Sequence, residues 1–189
     1  MTVIEQMLDY EVKCPVDFSK FNWKEIFGTV KATDGLKRPQ TLGLRTEIQE
    51  IATAKHSGGQ FKYVGMREDG KDYTSSSGDN WEDKGCVDMF KGILSGKSSQ
   101  TKEIILKNYR GNNTGALKRT FDYILLKDTG SMSVAWTTWE AASKNAVITD
   151  ATIKCKFDAH DLNFIEINVE PEKKDDFSKS LEILIEQLV

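Results

Sequence analysis

The chain has 189 residues, of which 39% are hydrophobic and 29% charged, with a formal net charge of −3. It is too apolar for a disordered chain, has no apolar run long enough to cross a bilayer, and lacks the net positive charge of a generic nucleic-acid binder. Three cysteines (Cys14, Cys86 and Cys155) are odd in number and far apart without a C-x-x-C pair. They read as reduced thiols of a cytoplasmic protein rather than as a disulfide or zinc framework. Met1 to Lys13 carries acids early and shows no basic flank followed by an apolar core, so no signal peptide is expected.

Val3 to Val16 alternates loosely and reads as a strand closing at Pro15. Phe18, Phe21, Trp23, Ile26, Phe27 and Val30 then recur at near-helical spacing behind Asp17 and Ser19, either of which suits a cap, and predict a helix near 18–31. Thr41 to His56 fits a strand or a helix; with Ser57-Gly58-Gly59 as a turn and Phe61, Tyr63 and Val64 beyond it, a hairpin is expected. Lys71 to Asn80 reads as a polar loop. Trp81, Val87, Phe90, Ile93 and Leu94 predict a helix near 81–95, with Gly96 as its stop.

Strands follow at Ile104 to Tyr109, Leu117 to Leu126 and Met132 to Trp136, joined by Gly- and Asn-rich turns. Ile153, Cys155 and Phe157 alternate with polar residues, as do Ile165, Ile167 and Val169, so the two segments read as a closing hairpin. After Pro171, Phe177, Leu181, Leu184, Ile185 and Leu188 mark an amphipathic helix at 173–188. Together these elements indicate one α+β domain over residues 1–189, an antiparallel meander with packed helices. Their order is similar to that of helix-grip folds, a likeness of element order alone. It would give a small-ligand cavity lined by Trp23, Phe27, Trp136, Phe157 and Phe164.

Few residues suggest chemistry. Asp158, His160 and Asp161 combine metal-ligand types, but on a hairpin tip such residues also simply make the turn. Asp9 and Glu11-Val12-Lys13 faintly resemble the acid and E-x-K pieces of a metal-dependent nuclease core, where carboxylates hold Mg²⁺ and a lysine steadies water. Their spacing is too short for that arrangement. Gly111 to Gly115 behind Arg110 lacks the lysine and helix of a phosphate loop and reads as a turn. No catalytic, cofactor-binding or metal residue is assigned, and no cofactor is expected.

Charge is distributed unevenly. Glu68, Asp69, Asp72, Asp79, Glu82, Asp83 and Asp88 make an acidic stretch, and Lys97, Lys102, Lys107, Arg110, Lys118 and Arg119 a basic one. Tyr109, Phe121 and Tyr123 beside the basic stretch offer stacking surfaces for a single strand of nucleic acid, the weaker option. The favoured expectation is a non-enzymatic protein acting through these patches, either self-assembling or bound to a protein partner, and not to a membrane. Its contact residues would be Lys107, Arg110, Lys118, Arg119, Glu68, Asp69, Asp72 and Trp139. Trp136 and Trp139 lie three apart, so one is expected in the core and the other at the surface.

Overall fold

The computed structural model describes residues 14–33, 42–64, 71–90, 104–107, 121–144, 146–148 and 152–167. Nearly all of the expected first strand, the C-terminal helix at 173–188 and most of the basic stretch fall outside them. Helix α1 (Trp23–Thr33) presents Trp23, Ile26, Phe27, Val30 and Thr33 to the core at helical spacing. It starts later than its periodicity suggests. Asp17 caps a separate 3₁₀ turn, Phe18–Lys20, through the Ser19 amide, and the Asn22 side chain accepts from the Glu25 amide to open α1.

Helix α2 (Leu42–Lys55) replaces the expected hairpin. Ile48 and Ala52, one turn apart, are fully buried, and Thr53 beside them is too. Glu, Gln, Arg and Ala between them favour a helix wherever packing permits one. α1 and α2 pack on each other, and Gln49 Nε2 donates to Thr33 Oγ1 at 2.7 Å. Beyond α2, Gly58 has φ +63°, and a Cβ there would lie 2.6 Å from the Lys20 carbonyl. Only glycine lets the chain turn against the 3₁₀ segment so closely.

Strands β1 (Phe61–Tyr63), β2 (Tyr73–Ser75) and β3 (Asn80–Cys86) run antiparallel in sequence. The polar loop expected at 71–80 therefore contains a strand, and the helix expected from Trp81 begins as one. The short strand β4 (Ile104–Lys107) comes next, then β5 (Tyr123–Asp128) and β6 (Ser133–Thr138). β5 lies parallel to β3, from Trp81↔Tyr123 to Cys86↔Asp128, and antiparallel to β6. The main sheet is thus mixed and mostly antiparallel, open rather than closed into a barrel, in the order β1-β2-β3-β5-β6-β9. A parallel pair needs a crossover, and residues 87–122 supply it.

Helix α3 (Trp139–Ser143) is capped by the Thr138 hydroxyl. β7 (Val147–Ile148) and β8 (Thr152–Cys155) join β4 in a second sheet ordered β4-β8-β7, while β9 (Asn163–Ile165) closes the edge of the first. The expected terminal hairpin does not form. Its two segments pair with different sheets, and a 3₁₀ turn, Ala159–Asp161, carries the chain between them. Period two along β5 and β6 separates two cores. Leu125, Val134 and Trp136 face α1 with Trp81, Phe61 and Tyr73; Ile124, Leu126 and Ala135 face Phe90, Phe121, Cys155 and Phe157. No helix among the described residues is long and apolar enough to cross a membrane.

Asp128 ties the end of β5 to the start of the crossover. Its buried carboxylate accepts from the amides of Asp88 (3.1 Å), Phe90 (3.0 Å), Gly130 (3.0 Å) and Ser131 (3.2 Å). Burial would raise its pKa, but the Phe90, Ser131 and Gly130 amides outweigh that and hold it below the usual carboxylate range. A depressed carboxylate stabilises the fold above its unfolded pKa, and the contribution disappears as pH falls through the folded value. Asp128→Asn should therefore cost about 1–3 kcal/mol in denaturant unfolding at neutral pH. The gap between the two proteins should narrow below about pH 4.

Candidate metal centre

Tyr73, the first residue of β2, stands opposite Trp81, and Asp72 immediately precedes the strand. The Asp72 amide donates to the Trp81 carbonyl at 2.8 Å, one residue short of the ladder's register, so the regular pairing ends there. Along β3, Glu82 and Lys84 share one face, while Trp81 and Asp83 share the other. Lys84 Nζ lies 3.1 Å from Glu82 Oε1, and the two side chains are 27% and 15% exposed respectively. Glu82 and Lys84 thus pair on β3, and Asp72, just before β2, lies nine intervening residues ahead of this Glu82-Asp83-Lys84 (E-x-K) triplet.

Asp83 turns towards the helices. Its Oδ2 is 2.9 Å from Lys127 Nζ, both side chains almost wholly buried, and it also accepts from the Tyr73 hydroxyl. Lys127 Nζ donates in addition to Thr53 Oγ1 at 3.1 Å on α2. The Asp83 amide donates to Asp72 Oδ2 at 2.7 Å, so the backbone at the centre of E-x-K holds the aspartate on the next strand.

Glu50 of α2 completes the group. Among the described residues, no hydrogen bond or ion pair engages its half-buried carboxyl. Burial first, and then the Asp83 carboxylate, push its pKa up to about 8; Glu82 adds to this, while Lys127 and Lys84 oppose it. Asp72 lies well above the usual carboxylate range, through burial first and then through Glu82, Glu50 and Asp83, against the Asp83 amide. Four carboxyl groups therefore share one electrostatic neighbourhood with two lysines.

Asp158, His160 and Asp161 are also brought together, with ligand atoms within 4.8 Å of one another. Their geometry is that of a cap: the Asp158 amide donates to Asp161 Oδ2 at 3.1 Å, and Asp158 accepts in return. His160 Nε2 is 3.6 Å from Asp161 Oδ1, with its side chain 71% exposed. His56 stands at the end of α2, not beside them.

Of the expected contact residues, Glu68, Asp69, Arg110, Lys118 and Arg119 lie outside the described residues, as do Asp9, Glu11 and Lys13, and Lys107 falls on β4. Asp72 is largely withdrawn from solvent in the acidic group. Trp136 is a core residue, and Trp139 is half-buried, edge-on to Phe121 with ring centroids 5.0 Å apart. Trp23, Phe27 and Trp136 belong to one core and Phe157 to the other, while Phe164 is exposed, so these five do not line one cavity.

Glu50, Asp72, Glu82 and Lys84 were hidden from sequence reasoning by a helix expected over 81–95 and by treating 68–88 as a solvated acidic stretch. The available signal was an aspartate ten positions before E-x-K, with strand formers at Tyr73, Thr74 and Trp81. No protein-family model matches the chain, and no match is found among curated proteins.

A carboxyl raised to about 8 costs the fold nothing below its ordinary range, where folded and unfolded chains both hold the proton. The cost grows as pH climbs towards 8. In the presence of a chelator, Glu50→Gln should therefore melt at a higher temperature than the native protein at pH 8.5 and at a similar one at pH 4. A lower midpoint at pH 8.5 would mean that Glu50 is satisfied in some other way.

Proposed function

We propose that the protein is a divalent-metal-dependent hydrolase of phosphodiester bonds, a nuclease, whose site comprises Glu50, Asp72, Glu82 and Lys84. The observation that supports this reading is the meeting of Asp72, just before β2, with the strand that carries Glu82-x-Lys84: the Asp83 amide donates to Asp72 Oδ2 at 2.7 Å, and the Glu50 carboxyl lies in the same electrostatic field. All three carboxylates supply the hard oxygen ligands that Mg²⁺ or Mn²⁺ takes. The cation would polarise a phosphoryl oxygen and stabilise its developing charge.

Lys84 shares the face of Glu82, and its ammonium donates hydrogen bonds that can orient a water beside the carboxylate. In the reaction, the water oxygen joins phosphorus and the ester P–O bond breaks. The departing alcohol oxygen takes a proton, leaving a phosphate monoester. Raised acids fit the same role: Glu50 and Asp72 would give up protons as a cation binds.

The basic stretch supports a polyanionic substrate. Lys97, Lys102, Lys107, Arg110, Lys118 and Arg119 all fall in the sequence of the β3-to-β5 crossover, which leaves directly from the strand bearing E-x-K. Charge at such a place suits contacts to a phosphate backbone, with steep salt dependence.

The test uses labelled single- and double-stranded DNA and RNA oligonucleotides with Mg²⁺, Mn²⁺ or a chelator. Cleavage is expected with a cation and not with the chelator. Glu82→Gln and Lys84→Met should each slow it by roughly 100-fold or more. Changing Arg110, Lys118 and Arg119 together to glutamate should weaken substrate binding while leaving Mn²⁺ binding intact. Oligonucleotide bound but never cut would point to a binding protein. Assembly or capture of a protein partner, with neither Mn²⁺ binding nor cleavage, would favour the surface-contact function instead.

A further inference from the structure

The two sheets differ in charge. Acids within the described strands, Glu82, Asp83 and Asp128, all belong to the main sheet. In the second sheet, β4, β7 and β8 hold Lys107 and Lys154 and no acid, and Lys156 directly follows β8. Burial alternates along β8 and just past its end. Cys155 and Phe157 are fully buried in the core with Ile124 and Leu126, while Lys154 is half-buried and Lys156 exposed. Val147, opposite Lys154 on β7, is 56% exposed. Residues opposite one another share a face, so Lys154 and Val147 mark the side of this sheet turned away from the core.

Strand pairing joins here what the sequence keeps apart. β4 lies inside the basic stretch, in which Glu103 is the only acid between Lys97 and Arg119. By pairing with β8, it brings that stretch to Lys154 and Lys156, lysines that a hairpin of 153–157 with 165–169 would have placed elsewhere. The register sets Ile105 opposite Lys154 and Lys107 opposite Thr152. Lys102 and Arg110 flank β4 in the chain.

We propose that the outer face of the second sheet binds the phosphate backbone of a nucleic acid, with Lys154 and Lys156 on successive phosphates and Lys107 on the neighbouring strand. This rests on the polyanionic partner proposed above and not on the cation site. Lys154 and Lys156 are two residues apart on extended chain, roughly 7 Å, close to the separation of successive phosphates along one strand. Solubility alone asks only for mixed charges of both signs, such as Glu82 and Lys84 on the main sheet. A face with lysines and no acid is instead complementary to a polyanion. Among its described residues none is aromatic, so the contacts go to phosphates and carry no sequence preference.

The test titrates the full-length protein against fluorescein-labelled single- and double-stranded DNA and RNA, with a chelator present and over a range of KCl. Anisotropy should show binding whose log K falls linearly with log salt. Lys154→Gln/Lys156→Gln should lower that slope by about two and weaken binding roughly 10-fold at low salt. Lys156→Gln alone, at an exposed position that leaves folding undisturbed, should lower the slope by about one. Lys20→Gln/Lys31→Gln removes the same charge from exposed positions on the α1 side of the main sheet and should bind as the native protein does.

Unchanged binding in both the Lys154/Lys156 and Lys156 variants would overturn this face while leaving the polyanionic partner standing. Equal losses in the two double variants would do the same, since overall charge would then account for the binding. Competition by polyglutamate as strong as that by DNA would also overturn it, in favour of an acidic protein partner. If the native protein retains no oligonucleotide, even with Mn²⁺ in place of the chelator, this face and the polyanionic partner fall together.

Discussion

A single buried ion pair, Lys127 with Asp83, decides how the helices meet the sheet. Taking both charges out of water costs several kcal/mol per ion before their attraction is counted, roughly, and breaking such a pair from one side costs about 3–5 kcal/mol. That cost is tolerable only because the remaining valences are filled: Thr53 accepts from the lysine and Tyr73 donates to the carboxylate. Geometry at the pair therefore fixes where α2 lies over β2, β3 and β5. Aromatic packing around Trp81 reinforces it, with Tyr123 stacked at 4.8 Å and Phe61 at 5.2 Å between ring centroids.

The opposite face of β3 shows what this rigidity supports. Asp72 lies in the field of Glu82, and the like charge raises the cost of ionising it. Glu50 approaches from α2, on the Asp83 side of the sheet, and burial raises the cost of charging it. Stability is surrendered locally, and the well-filled cores on both faces of the sheet compensate.

Much of the architecture was legible in the sequence. The apolar spacing from Trp23 to Val30 predicted α1, and turn residues around Gly130 predicted the β5–β6 hairpin. The mixed class of helices and mostly antiparallel strands followed from these. Three elements were misread, each for its own reason. β3 turns Trp81, Asp83 and Gly85 towards α1 and α2, so its alternation is invisible to a search for hydrophobic residues. β2 is three residues long. α2 has short apolar runs that fit either period. Where a buried position is filled by a paired charge, hydrophobic patterning points elsewhere.

By itself, the sequence determined the α+β class, the aromatic core of α1 and the presence of separate acidic and basic stretches, because local periodicity and composition carry those. Tertiary structure alone decided which acids feel one another's charge. Glu50, Asp72 and Glu82 are 22 and 10 positions apart in the chain. Only the antiparallel register of β2 on β3 and the seating of α2 over Lys127 bring them into one field. It also decided that β8 and β9, alike in pattern, belong to different sheets. Alternation states that a strand has two faces; which neighbour it pairs with depends on the packing of the whole.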